Sequence, residues 1–265
     1  MNSRVSTSAA LLAGVLTICP LALAQPGPAA RAAGPPPPAE QAAPIDLTGY
    51  WAAIVTEDWR WRMLTAPHGD YASVPLNAAG KKLADTFDPA RYGPEWTTQI
   101  DCRAYGAAGL MRMPERLHIT WQNPETLRIQ TDWGEQTRLL HFEKSDLPQS
   151  GRTAQGSSLA VWQHPQIGNG AAAFARPDTS LPGGKLYVVT DDLTAGWLRR
   201  NGVPYGLQTH MQEWFQVFDD PTGRHWLDVT TRVDDAEYLD APFITSSDFR
   251  REPDGSKWAP HPCTP

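Results

Sequence analysis

Hydrophobic residues along this chain recur at every second position far more often than at every third or fourth. Leu117, Ile119 and Trp121 alternate with His118, Thr120 and Gln122. After the turn Asn123-Pro124-Glu125, Leu127, Ile129 and Thr131 alternate with Arg128, Gln130 and Asp132. Successive side chains of a strand point to opposite faces, so the pattern predicts two adjacent antiparallel strands. The same reading predicts strands over 137–142, 159–163 and 185–191, a front strand over 47–56, and a hairpin of 209–218 and 225–233 around Asp219-Asp220-Pro221-Thr222-Gly223. At least eight strands result. One helix is predicted over 77–87, where Asn77 can cap and Leu83 and Phe87 share a face, with a short helical turn over 194–200 stopped by Asn201-Gly202. This is an all-β pattern whose short links favour closure into an antiparallel barrel, since closure removes exposed edges; a β-sandwich is the alternative. The loops 58–71, 91–113 and 149–154 are long enough to serve as lids over a barrel mouth.

Composition narrows the function. The formal charge of -6 removes the phosphate attraction on which nucleic-acid binders depend, so no nucleic-acid partner is expected. Arg4 precedes an uncharged apolar run from Ala9 to Cys19, and Ala22-Leu23-Ala24 supplies the small-x-small pattern of signal cleavage, which places the mature start near Gln25. That run is short of the roughly 20 residues that span a bilayer, so no membrane span is expected after cleavage. Cys19 offers a lipid-attachment alternative that the bulky Ile18 before it fits poorly. Residues 25–44 are rich in Pro and Ala without aromatic or β-branched side chains and read as a disordered, semi-extended linker; residues 45–265 read as one domain. A periplasmic or secreted location follows. Two cysteines then remain, Cys102 and Cys263, and in an oxidising compartment an even pair is most economically one disulfide, the alternative being two separately buried thiols. Nothing in the pattern sets an oligomeric state.

A resemblance adds to this reading. Asp46-Leu47-Thr48-Gly49-Tyr50-Trp51 resembles the Gly-x-Trp first strand of lipocalin-like (calycin) barrels, whose tryptophan closes one end. Residues 56–63 (TEDWRWRM) and the tail segments 242–247, 253–258 and 262–263 resemble an uncharacterised group of secreted bacterial proteins. The likeness covers nearly the whole domain. It implies a signal peptide, a lipocalin-like body and a Cys102–Cys263 bridge, and it implies no substrate.

Candidate chemistry lies in polar residues that interrupt strands. Two neighbouring strands present wholly polar faces, one with His118 and one with Arg128 and Asp132. Those faces meet either solvent or a wet lumen, and in a lumen His118, Arg128 and Asp132 would form an acid/base and anion-binding set. Glu213 interrupts the row Met211, Phe215 and Val217. If that row faces inward, a carboxylate stands among apolar neighbours, a setting that suits a general acid or base; if Gln212, Trp214 and Phe218 face inward, Glu213 is wet. His141 reads first as a structural histidine. His210-Met211-Gln212-Glu213 has a metal-like spacing, but a separation of three on a strand sends the two side chains to opposite faces, so no metal site is assigned. No dinucleotide, phosphate-loop, nucleophile-elbow or zinc-helix motif occurs in a fitting context, and no cofactor is expected.

The chain has 11 tryptophans, all at or after Trp51. Indoles offer flat apolar contact and a donor, which suits aromatic, terpenoid, steroid or sugar rings. Two expectations follow. The first is a carrier for a small, mostly apolar or aromatic/glycosidic ligand, walled by Trp59, Trp61, Trp214 and Tyr205, with His118 or Arg138 fixing a polar end. The second is a cofactor-independent lyase, isomerase or hydrolase in which Glu213 and His118, with His141 as a further candidate, move protons and Arg138 steadies an anion.

Overall fold

A computed structural model describes residues 35–88, 102–149, 151–167 and 176–263. The predicted signal segment, the first half of the 91–113 loop and the glycine loop at 168–170 lie outside the described residues. Nine strands close into a barrel: β1 (Gly49–Ile54), β2 (Arg116–Asn123), β3 (Thr126–Thr131), β4 (Thr137–His141), β5 (Ser157–Gln163), β6 (Lys185–Asp191), β7 (His210–Asp219), β8 (His225–Asp234) and β9 (Phe243–Glu252). Each strand pairs with its neighbours in sequence, and β9 returns to pair with β1, so the fold is an all-β, lipocalin-like meander. An odd number of strands cannot close with every pair antiparallel. Within the barrel the parallel pair is β4 with β5, which run the same way along its axis.

Strand parity explains the interior. Leu117, Ile119, Leu127, Ile129, Leu140, Leu186, Val188, Phe215, Leu227, Val229 and Phe249 each carry almost no exposed surface and fill the barrel axis, with Trp51 donating its indole N–H to the Leu47 carbonyl at 2.9 Å. This lumen is packed with side chains rather than wet. A second apolar cluster, including Leu76, Ala84, Ala108, Leu198, Val203, Met211, Val233 and Phe243, lies under the links at one end. Those links are the β1–β2 connection, with the short helices α1 (Trp59–Arg62), α2 (Ala78–Ala84) and α3 (Ala107–Leu110), and the β6–β7 connection. Three short helices stand where the pattern predicted one. Asn77 caps α2 as expected, accepting from the Gly80 amide at 2.9 Å. The helical turn predicted over 194–200 is instead a hairpin of Gly196–Arg199 with Val203–Tyr205, because Gly202 takes a left-handed φ of 82° and lets the chain reverse.

The compact unit begins at Pro37, so residues 37–44, the end of the expected linker, belong to it. After β9 the tail passes over the outside of β1 and β2, where Trp258 lies edge-on to Tyr50 and His118, and His261–Pro262 pair in parallel with Trp133–Gly134. There Cys102 and Cys263 are paired at disulfide distance, with Cα atoms 5.4 Å apart.

Candidate ligand-binding site

The two ends of the barrel differ. At the end where β1 finishes and β2 begins, the helical links and the 196–205 hairpin form a lid with its own apolar core. At the opposite end, where β1 begins and β2 finishes, the chain over residues 38–48 lies across the barrel, and the β5–β6 link starts and ends beside it, with Gly184 against Pro44. Residues 38–48 are held by Glu40 N–H to the Pro124 carbonyl at 3.0 Å, Ala39 N–H to the Glu125 carboxylate at 3.2 Å, the Trp162 indole N–H to the Ala39 carbonyl at 2.8 Å, and Leu47 in the barrel core.

Parity brings two tryptophans to this open end. Trp121 continues the inward row of Leu117 and Ile119 on β2, and Trp162 continues Ser158 and Ala160 on β5. They meet Phe142 in an aromatic trio, with ring centroids 5.4 to 6.5 Å apart. Between them and residues 40–48 lies a cavity of about 410 Å³ lined by Leu47, Leu127, Trp121 and Trp162, with Glu40 and Asp46 at its rim. A groove of about 570 Å³ continues on the far side of Trp162 past His164 and Lys185. Both volumes lie within the range of small-molecule sites. Burial pushes the Asp46 carboxyl upward, but hydrogen bonds from Thr48 and the Arg251 guanidinium at 3.2 Å outweigh it and hold the group below the usual range. Asp46 is therefore ionised and paired with Arg251.

The predicted site residues are not gathered at one place. Glu213 does face inward with Met211, Phe215 and Val217, but it is not an isolated carboxylate. Arg138 holds both of its oxygens, at 3.0 and 2.7 Å, and neither side chain has exposed surface. The same guanidinium reaches Thr190 at 3.3 Å and Ser158 at 3.5 Å. These groups, with Thr231 and Ser247, form a polar layer across the barrel between its two apolar clusters. No opening leads to Glu213 among the described residues, so the proton-transfer role expected of it and the anion role expected of Arg138 lack access to a substrate.

His118 lies on the opposite side of the wall. It points outward from β2, stacked on Tyr50 with centroids 4.1 Å apart and planes at 2°, under Trp258. Burial, then the Arg128 charge, hold its imidazole below the ordinary value, against a hydrogen bond with Gln130 that raises it. Glu213 and His118 cannot share a substrate across the barrel wall. Arg128 also faces outward and bonds Thr120 at 3.0 Å, which overturns the common lumen of His118, Arg128 and Asp132. Asp132 is buried past the end of β3, accepting from the Arg116 and Trp133 amides at 2.7 and 2.9 Å. His141 is mostly covered at the open end, 3.3 Å from the Thr126 hydroxyl; burial lowers its imidazole and Asp146 opposes that.

The expected tryptophan walls also separate. Trp59 is 62% exposed on α1, Trp61 lies between Arg60 and Arg199 at 4.7 Å from each, and Trp214 faces outward against Tyr187. Tyr205 is buried in the lid, its hydroxyl wedged where a Cβ on Gly106 or Gly196 would overlap it. The aromatic surplus does line a cavity, but through Trp121 and Trp162, which parity alone could have placed inward. His210 faces outward and Glu213 inward, as strand spacing required. Among the described residues no helix is long and apolar enough to cross a membrane. No protein-family model matches the chain, and no curated protein is significantly similar to it.

Proposed function

We propose that this is a secreted or periplasmic binding protein, of the group its sequence resembles, that holds a small, mostly apolar aromatic or glycosidic molecule at the open barrel mouth. The observation that carries this reading is the cavity of about 410 Å³ between Trp121, Trp162, Leu127 and Leu47. It offers indole ring faces beside the polar groups of Glu40, Asp46 and Thr48, and the packed lumen beneath gives it a rigid floor. Because the Trp162 N–H is already used by Ala39, that indole recognises its ligand by its face. A location outside the cytoplasm is supported by the Cys102–Cys263 pair at disulfide distance.

The test is a fluorescence titration of the protein against phenolics, terpenoids, steroids and glycosides, with compound recovery read by mass spectrometry. A binding protein returns every compound intact, and Trp162→Leu weakens affinity about tenfold or more while the melting temperature holds. Titrations that stay flat across the library, or that are unchanged in Trp162→Leu, overturn the mouth as the site. Consumption of one compound overturns the carrier reading in favour of an enzyme.

A further inference from the structure

The lid holds an unusual density of buried positive charge. Arg62, Arg112 and Arg199 are 2%, 6% and 4% exposed and, with Arg200, Trp61 and Leu198, line a small cavity of about 10 Å³. Arg62 pairs with Glu57 and donates Nε–H to the Arg112 carbonyl at 3.0 Å; Arg112 pairs with Asp58 at 3.0 Å. Arg199 makes no ion pair among the described residues, and the Asp58 and Asp70 carboxylates act on its charge only from farther away. Its Nη1 donates to the Ala72 carbonyl at 2.7 Å and its face lies on Trp61 and, at 6.0 Å, on Phe243. Asp70, the next acid, is taken by Arg60. One guanidinium is therefore buried without a carboxylate in contact, where an unpaired charge is costly. Burial, then the Arg112 charge, push Arg199 down to about 10, which still leaves it protonated at neutral pH.

Hydrogen bonding points the same way. Arg62 Nη2, Arg112 Nη1, and both Nε and Nη2 of Arg199 are buried without an acceptor. Buried donors in native proteins are satisfied, so these four, beside a cavity that Arg200 also lines, call for an occupant. The cavity admits a single particle of about water size. A water accepts two of those bonds and leaves the charge unmatched. A monoatomic anion accepts from more donors than a water does and matches the charge; a tetrahedral oxyanion is too large for the space.

We propose that this cavity is a buried halide site, with chloride held by Arg62, Arg112 and Arg199 as a structural ion that locks the lid onto the barrel. The site is independent of the barrel mouth. Its test is thermal unfolding of the protein in gluconate, chloride or bromide at constant ionic strength, with bromide located by anomalous scattering in a crystal. The melting temperature should rise by about 3–5 °C for each tenfold of chloride above the Kd, and bromide should appear among the three guanidinium groups. Arg199→Lys keeps the charge but loses the fork, and should raise the half-saturating chloride at least about tenfold while melting as wild type in gluconate; should that variant fail to fold, the wild-type bromide position decides. Equal melting temperatures in gluconate and chloride, or an ordered water in place of bromide, overturn the proposal. Stabilisation by sulfate equal to that by chloride overturns the assignment to a halide.

Discussion

Glu115 sits behind the lid with 2% of its surface exposed and neither carboxyl oxygen hydrogen-bonded, and Asp132 lies close by. Burial pushes the Glu115 carboxyl well above its ordinary value, the Asp132 charge adds to that, and Arg62 opposes it. Asp132 is also raised by burial, against hydrogen bonds from Arg116 and Trp133. The sign of the consequence is set by proton counts. Below the ordinary glutamate value of 4.5, folded and unfolded chains both carry the proton and pH has no leverage. Above it the unfolded chain releases a proton that the folded chain keeps, so stability falls as pH rises, by up to about 1.4 kcal/mol per unit, until the folded value is passed. Glu115→Gln removes that slope. Urea titrations should find the variant more stable than wild type at pH 8 and equal to it near pH 4. A variant that loses as much stability at pH 8 as at pH 4 would mean that Glu115 is ionised in the fold.

At the scale of elements, the barrel has a seam. β7 and β8 share ten register pairs, whereas the parallel junction of β4 and β5 has two, Leu140 with Ser158 and His141 with Leu159. Arg138 on β4 reaches Ser158 on β5, Thr190 on β6 and Glu213 on β7, so its guanidinium clips the junction where the backbone ladder is shortest. Breaking one side of a buried pair costs about 3–5 kcal/mol, while an apolar replacement of both partners is often neutral. Glu213→Ala should therefore destabilise by that amount, and Arg138→Met with Glu213→Leu should recover most of it. Native-state hydrogen exchange should still show the amides of 139–141 and 157–159 opening at least about tenfold faster in the double variant, with β7 and β8 unchanged; a uniform change across the barrel would remove the clip from the account. Parity made Glu213 legible as inward, but its partner is 75 residues away and depends on register, which one sequence does not carry. Strands with strict alternation, such as β2, β3, β7 and β8, were readable. β9 was not, because its inward row of Phe243, Thr245, Ser247, Phe249 and Arg251 is polar at three of five positions. The 196–205 hairpin was misread as helix because Gly196 to Arg199 are all buried and show no alternation. The Trp121 and Trp162 mouth escaped because the open end is decided by where the long links pack, not by the strands themselves.

The whole molecule separates a locked end from an open one. The Cys102–Cys263 pair ties the end of the tail, 161 residues away in sequence, to the short helical turn Cys102–Tyr105 in the β1–β2 link. The amide of His261 adds a 2.8 Å bond to the Asp132 carbonyl beside it. A cross-link over so long a loop restricts the unfolded chain, with about 5 kcal/mol as an upper bound and about 2–5 kcal/mol typical of native bridges. For a domain of this size that corresponds to a fall in melting temperature of about 5–15 °C in Cys102→Ser with Cys263→Ser. The mouth is built from other parts of the chain, namely residues 40–48 and the far ends of β2, β3 and β5, with the packed barrel core between the two ends. Ligand affinity at the mouth, measured at a temperature where both proteins are fully folded, should therefore change less than about twofold when the bridge is removed. A parallel loss of affinity and stability would show that the packed core transmits strain from lid to mouth, and an unchanged melting temperature would show that the bridge contributes nothing to the fold. The expected split, a large stability loss with affinity intact, is what a barrel locked at one end and open for binding at the other requires.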